Sequence, residues 1–271
     1  MIDTHVHLFD TALPRVAGAR HDPRYDATLA QLQGVAAPAG VHHFVVVQPS
    51  FLGTDNSHLL DVLRANPRQL RGIVVADPLA SDAQLAAWGR NGVVGIRLNL
   101  LRTDLARTLD DRQLALVQRC AALGLSLEIH DDIARLPAIL DAIGEIAGSV
   151  IIDHFGRPES IGGDIDDPRY RSLLARLRRS GHYVKLSAPY RSRGMDARAA
   201  IARLCDELDV SRLLWGSDWP WTQHEQGRDY VGWAALFDGF PGLAQRMADN
   251  AGRLFRFSGD AQAHARSGNT F

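Results

Sequence analysis

A chain of 271 residues, 46% of them apolar, is long enough to bury a full core, and a formal charge of −1 offers no field for nucleic acid or an anionic membrane surface. No apolar run reaches the roughly 18 residues of a membrane span, and no basic stretch leading into an apolar one opens the chain, so a cytoplasmic protein is expected. The two cysteines, Cys120 and Cys205, fall in helix-like segments without metal-ligand spacing, which fits reduced thiols and excludes a disulfide framework.

Short apolar, β-branched runs recur along the chain, at residues 2–6, 44–47, 72–75, 93–98, 123–129, 150–152, 183–186 and 212–215. The stretches 56–65, 110–123, 133–147, 170–180 and 195–208 carry apolar residues at helical spacing, and 243–255 reads as a closing helix. The loop 10–31 is longer than an ordinary strand-to-helix connection, and with 187–195 and 219–229 it is expected to fold over the site and set selectivity. Residues 258–271 form a polar tail, which leaves one domain over 1–257.

Continuous apolar strands alternating with helices imply a parallel sheet covered by helices, and eight such units predict a single-domain (β/α)8 TIM barrel of the α/β class. An open doubly wound sheet is the competitor, but no Gly-x-Gly-x-x-Gly follows the first strand. What ends each strand favours the barrel: His5 and His7, Gln48 and Ser50, Asp77, Arg97 and Asn99, Glu128 and His130, Asp153 and His154, Lys185 and Ser187, Ser217 and Asp218. A barrel brings all of these to one mouth, where catalytic groups sit.

His5 and His7 are two apart on the first strand and aim two imidazoles to one side, as a metal site or an acyl-transfer site requires. His154 and Asp218 hold the same strand-end position on the sixth and eighth strands. A carboxylate buried at Asp218 costs several kcal/mol unless it is partnered or used. Arg97 interrupts an apolar strand, where a guanidinium calls for a carboxylate or phosphate to grip bidentately. Arg102 and Arg191 are weaker candidates taken alone, and His130 reads equally as a ligand or as a hydrogen-bonded core residue.

Three motifs, Asp3-Thr4-His5-Val6-His7, Ile152-Asp153-His154-Phe155-Gly156-Arg157-Pro158 and Leu214-Trp215-Gly216-Ser217-Asp218-Trp219-Pro220, resemble the amidohydrolase superfamily and its lactonase branch. Val46-Val47-Gln48-Pro49-Ser50, Gly95-Ile96-Arg97-Leu98-Asn99 and Val184-Lys185-Leu186-Ser187 are further similar to the family of 2-pyrone-4,6-dicarboxylate lactonases. The resemblance runs from residue 1 to about residue 257. It implies hydrolytic opening of a carboxylated lactone with no required cofactor, His5, His7 and His154 polarising the carbonyl and Asp218 activating water. It further implies that Ser50, Arg97, Arg102 and Arg191 bind the substrate carboxylates, with His130 beside them. One departure stands out: where that family has a Tyr-x-Pro in the first long loop, this chain reads His21-Asp22-Pro23.

Many members of the superfamily bridge two metals with a lysine on the fourth strand. Here that strand carries Arg97, and the one lysine of the chain, Lys185, lies on the seventh, so no bridged binuclear site is expected. A single zinc or manganese ion on His5, His7 and Asp218, joined by His130 or His154, is the alternative. Metal-free hydrolysis is preferred, because an arginine at the mouth repels a cation and suits a small anionic substrate. The rival readings are a zinc-dependent decarboxylase or sugar-lactone hydrolase on the same barrel, and a non-catalytic carboxylate-binding barrel. A monomer or a small homo-oligomer is compatible with all of them.

Overall fold

The structure, a computed structural model, describes residues 1–101 and 109–257. Strands β1 (Ile2–Val6), β2 (His43–Val47), β3 (Leu70–Val74), β4 (Val93–Asn99), β5 (Ser126–His130), β6 (Val150–Ile152), β7 (Tyr183–Leu186) and β8 (Leu213–Trp215) pair in parallel, each with the next in sequence. Helices α1 (Leu29–Ala36), α2 (Ser57–Ala65), α3 (Asp82–Arg90), α4 (Asp111–Ala122), α5 (Leu136–Ile143), α6 (Pro168–Ser180), α7 (Ala197–Glu207), α8 (Tyr230–Ala235) and α9 (Leu243–Leu254) connect and cover them. The expected (β/α)8 barrel is the observed architecture. Among the described residues no helix is long and apolar enough to cross a membrane.

Alternation along the strands sorts the core into two parts. Leu127, Ile129, Val184, Leu186, Leu213 and Trp215 face the helices and pack in one large cluster. Val45, Ile73, Ile151 and Leu214 join Ala251 and Phe255 in a second, smaller cluster that closes the lower end of the barrel beneath α9. Above that apolar floor the inward positions turn polar. Arg97, Glu128, Asp153 and Lys185 are at most 4% exposed, and together they form the layer on which the site rests.

The seam between β8 and β1 is closed differently from the others. Val6 meets Trp219 in an isolated parallel bridge, His7 N–H donates to the Trp219 carbonyl, and Asp218 N–H donates to the carbonyl of His5. Asp3 staples the two sides: its Oδ1 accepts the N–H of His5 and of Ser217, and its Oδ2 accepts the hydroxyl of Tyr230 at 2.8 Å. Gly216 is needed here, since a Cβ on it would come within 2.8 Å of His5 Cβ. The seam thereby sets where His5, His7 and Asp218 stand relative to one another.

Departures from the sequence expectations are local. The fifth strand starts at Ser126 rather than 123, because Gly124, at φ +68°, turns the chain first. The helix expected over 133–147 contracts to α5, and three helices were not read at all: α1, α3 and α8. Thr28 caps α1, with its hydroxyl accepting from Gln31 N–H, so the long loop ends at 28. The tail expected at 258–271 lies outside the described residues.

Asp3 makes the seam sensitive to pH. Burial pushes its carboxyl up to about 6 against the opposing pull of the Ser217, His5 and Tyr230 donors. Because the folded value exceeds the unfolded one, the native state holds the extra proton, and stability falls as pH rises through that window. Relative to Asp3→Asn, the wild type is therefore expected to lose stability between about pH 4 and about pH 7. Urea midpoints of the two proteins across that range test this, and a pH-independent difference would remove the buried charge from the account.

Candidate active site

The ends of β1, β6 and β8 place four side chains around one point. Asp218 Oδ1 lies 3.6 Å from His5 Nε2, 3.6 Å from His7 Nε2 and 3.9 Å from His154 Nε2. All four residues are buried, and both Asp218 Oδ1 and His5 Nε2 are without a hydrogen-bond partner. The backbone is left-handed at His154 (φ 51°) and Asp218 (φ 62°), a conformation that non-glycine residues adopt sparingly and that concentrates at functional sites. The other oxygen of Asp218 is fully engaged, accepting from Tyr190 Oη at 2.5 Å and from Arg191 Nε at 2.7 Å.

These contacts fix the charges. Burial alone would raise the carboxyl pKa of Asp218, but the Arg191 guanidinium, with further help from the neighbouring histidines, holds it well below the usual carboxylate range. Burial pushes His5 and His130 well below the ordinary histidine value and His154 down to about 3. At neutral pH the mouth therefore holds one carboxylate facing neutral His5 and His154 rings. His7 Nδ1 lies 2.8 Å from the carbonyl oxygen of Val47, which can only accept, so the Nδ1 nitrogen of a neutral His7 carries the proton.

The remaining expected residues distribute unevenly. Ser50, on the turn after β2, and Arg191 line the mouth together with His130. The His130 ring packs edge-on to His154 at 5.0 Å, and its Nε2 lies 3.4 Å from Arg157 Nη1. Arg97 also lines the mouth, but the fork edge expected to grip a substrate grips the protein: Nε and Nη2 donate to Asp153 Oδ2 at 3.1 and 2.7 Å, and Nε lies 3.1 Å from Glu128 Oε1. Arg102 lies outside the described residues. A second cavity, of about 480 Å³, adjoins the mouth and shares Arg20, Ser50, Arg97 and Asn99 with it.

Sequence reasoning passed over several contributors. Tyr190 shares a one-turn helix with Arg191, and its phenol was legible only as a neighbour. Arg20, from the long first loop, also lines the mouth and donates from Nε to His21 Nε2 at 3.0 Å, whereas His21 was already marked by its departure from the family's loop pattern. Glu128, Asp153 and Lys185 were visible as strand-end residues, but nothing in their spacing said that they would pair with one another.

Among the described residues, two groups of ligand atoms lie within 4.8 Å of one another, close enough to hold a metal ion: His5, His154 and Asp218, and His5, Glu128 and Asp153. The set expected from the sequence, with His7, is not among them. In the second group the ammonium of Lys185 already sits on Glu128, 3.6 Å from Asp153 Oδ1 and 3.1 Å from His5 Nδ1. In the first, the Lys185 ammonium 3.1 Å from Nδ1 favours a His5 proton on Nε2, where a metal would need a lone pair. Neither donor set fits a divalent ion as it stands.

The histidine pair at the end of β1, His154 after β6 and Asp218 after β8 of a parallel barrel define a class, and the chain belongs to the amidohydrolase family, whose model matches residues 2–257. Within that family it is similar to the 2-pyrone-4,6-dicarboxylate hydrolase of Comamonas testosteroni, at 27% identity over 94% of this chain and 89% of that protein. The 4-sulfomuconolactone hydrolase of Rhizobium radiobacter is 29% identical over 93% and 89% of the two chains. Among solved structures, a probable 2-pyrone-4,6-dicarboxylic acid hydrolase from Acinetobacter baumannii, with citric acid bound, superposes with a TM-score of 0.87. It is 32% identical to this chain, with 94% of this chain and 99% of that one covered.

The engagement of Arg97 changes what its removal should do. Arg97→Met leaves Lys185 as the one cation facing the buried Glu128 and Asp153 carboxylates, and breaking a buried ion pair from one side costs about 3–5 kcal/mol. A drop of that size in urea-derived stability is expected, whereas a residue serving substrate alone would leave the urea midpoint where it was.

Proposed function

We propose that this protein hydrolyses a lactone bearing carboxylate groups, of the 2-pyrone-4,6-dicarboxylate kind. The observation that carries the reading is the asymmetry of Asp218: one oxygen is anchored by Tyr190 and Arg191, and the other is buried, unpartnered and ringed by three imidazole nitrogens. A carboxylate so arranged is a base with a fixed direction of attack. The named relatives act on carboxylated or sulfonated lactones or take that name, which supplies the substrate class.

In this reading a water donates to Asp218 Oδ1 and to the lone pair of His7 Nε2. Asp218 takes its proton as the oxygen attacks the ring carbonyl carbon. The carbonyl oxygen gains charge, and N–H donors on His5 and His154 stabilise it. Collapse of the tetrahedral species breaks the bond from acyl carbon to ring oxygen, and Asp218 returns the proton to the departing oxygen. The product carries one more carboxylic acid, which ionises and releases a proton at neutral pH. Ser50, Arg191, His130 and the outer edge of Arg97 line the space for the substrate carboxylates, with the body of the substrate in the adjoining cavity. In this reading the His5 and His154 donors hold the developing oxyanion, and no step uses a metal.

A panel of lactones with and without carboxylates, assayed by pH indicator on chelator-treated protein, tests this. Acidification is expected with carboxylated lactones and is expected to survive chelation. Binding without proton release would leave a carboxylate-binding barrel, and turnover restored only by one equivalent of zinc or manganese would make the nucleophile a metal-bound hydroxide. Asp218→Asn is expected to lower turnover by at least about 100-fold, the lower end of what a positioned base contributes, while substrate still binds. Turnover near the wild-type rate in that variant would take Asp218 out of the base role.

A further inference from the structure

Lys185 is the one lysine of the chain, and it is wholly buried on β7 beneath the mouth. An ammonium has three donors and no acceptor. Its neighbours here are Glu128 Oε2, with which it makes a short ion pair, Asp153 Oδ1 at 3.6 Å and His5 Nδ1 at 3.1 Å. A hydrogen bond from Lys185 to Nδ1 needs the lone pair of that nitrogen, so the proton of the neutral ring must sit on Nε2.

Nε2 of His5 is buried and has no partner, and Asp218 Oδ1 is 3.6 Å away, beyond hydrogen-bond range. An unpartnered buried N–H is expensive, and in native structures such groups call for an explanation. This one faces the point where the oxygen of a bound carbonyl would lie. His7, two residues on, is set the opposite way: its Nδ1 proton goes to the Val47 carbonyl, and its Nε2 presents a lone pair. The rival tautomer of His5 would donate from Nδ1 to Asp153 Oδ1, which stands 3.3 Å away. Lys185 is the nearer of the two and, as an ammonium, cannot accept, which favours the first tautomer.

We propose that Lys185 is a positioning residue: by donating to His5 Nδ1 it holds the His5 proton on Nε2, so that of two histidines on one strand, His5 donates to the carbonyl oxygen and His7 accepts from the water. The assignment rests on the lactone-hydrolase reading for its effect on rate, while the tautomer itself is a property of the unliganded protein. With its proton on Nε2, His5 has no lone pair there to offer a metal ion.

Long-range 1H–15N correlation spectra of protein labelled in its histidine rings, with His5 and His7 assigned by the signals lost in His5→Gln and His7→Gln, read each tautomer directly. The wild type is expected to show His5 protonated on Nε2 and His7 on Nδ1. In Lys185→Met, or in Lys185→Met combined with Glu128→Gln to remove the stranded charge, His5 is expected to move its proton to Nδ1. In the same variant kcat on a carboxylated lactone is expected to fall about 10–100-fold, with KM within about twofold, as for loss of a group that orients an imidazole. A wild-type His5 protonated on Nδ1 would overturn the proposal with no variant needed, and so would a Lys185→Met protein that keeps the Nε2 proton. If no lactone turns over while the tautomers stand as expected, the hydrolase reading fails and the Lys185 assignment does not.

Discussion

The site depends on a balanced quartet of charges buried in the upper barrel: Arg97 and Lys185 against Glu128 and Asp153. Each charge alone would cost several kcal/mol to remove from water, and together they are tolerable only because each finds an opposite partner with hydrogen bonds. The four come from β4, β5, β7 and the end of β6, so the quartet ties half of the strands together at one height. Burial and the facing Asp153 carboxylate push the Glu128 carboxyl up to about 7 even with Lys185 and Arg97 beside it, so the balance is close and removing one cation should upset it. His5 stands directly on this layer, and its donor properties are inherited from it.

The second constraint is the β1–β8 seam. His5 and His7 stand at the end of one strand and Asp218 follows the other, so the geometry of the site is only as good as the closure between them. The usual ladder is thin there, and side chains do the joining: Asp3 to two backbone N–H groups and Tyr230, and Thr4 Oγ1 to the Trp215 carbonyl at 2.7 Å. This gives Asp3 a reason to sit two residues before His5 that has nothing to do with reacting atoms.

Much of this was legible in the sequence, for identifiable physical reasons. Strand alternation has a period of two, so His5 and His7 had to share a face, and the strand-end rule of parallel barrels brought in His154 and Asp218. All eight strands were found because buried parallel strands are continuous apolar runs. Helices α1 and α3 were missed because their apolar residues are not gathered on one face; α2, which also buries two residues, segregates its apolar side and was read. Arg97 was seen as a guanidinium in want of a carboxylate, but pattern alone does not distinguish a substrate's carboxylate from that of Asp153, 56 residues later in the chain. Tyr190 was hidden for a similar reason: only folding sets its hydroxyl on Asp218.

The quartet also bears on why a barrel of this class can work with protein cations. A cluster of His5, Glu128 and Asp153 is by composition a place for a cation, and here Lys185 occupies it from within the chain. An ammonium differs from a metal ion in one decisive respect: it donates hydrogen bonds, and a metal accepts lone pairs. The same position filled by a metal would draw lone pairs from the imidazole and carboxylates around it. Filled by Lys185, it drives the proton of His5 to the far side of the ring, toward the substrate. A change of cation beneath the mouth would thus reverse the hydrogen-bonding sense of the histidine above it, while Asp218 Oδ1 stays buried and without a partner.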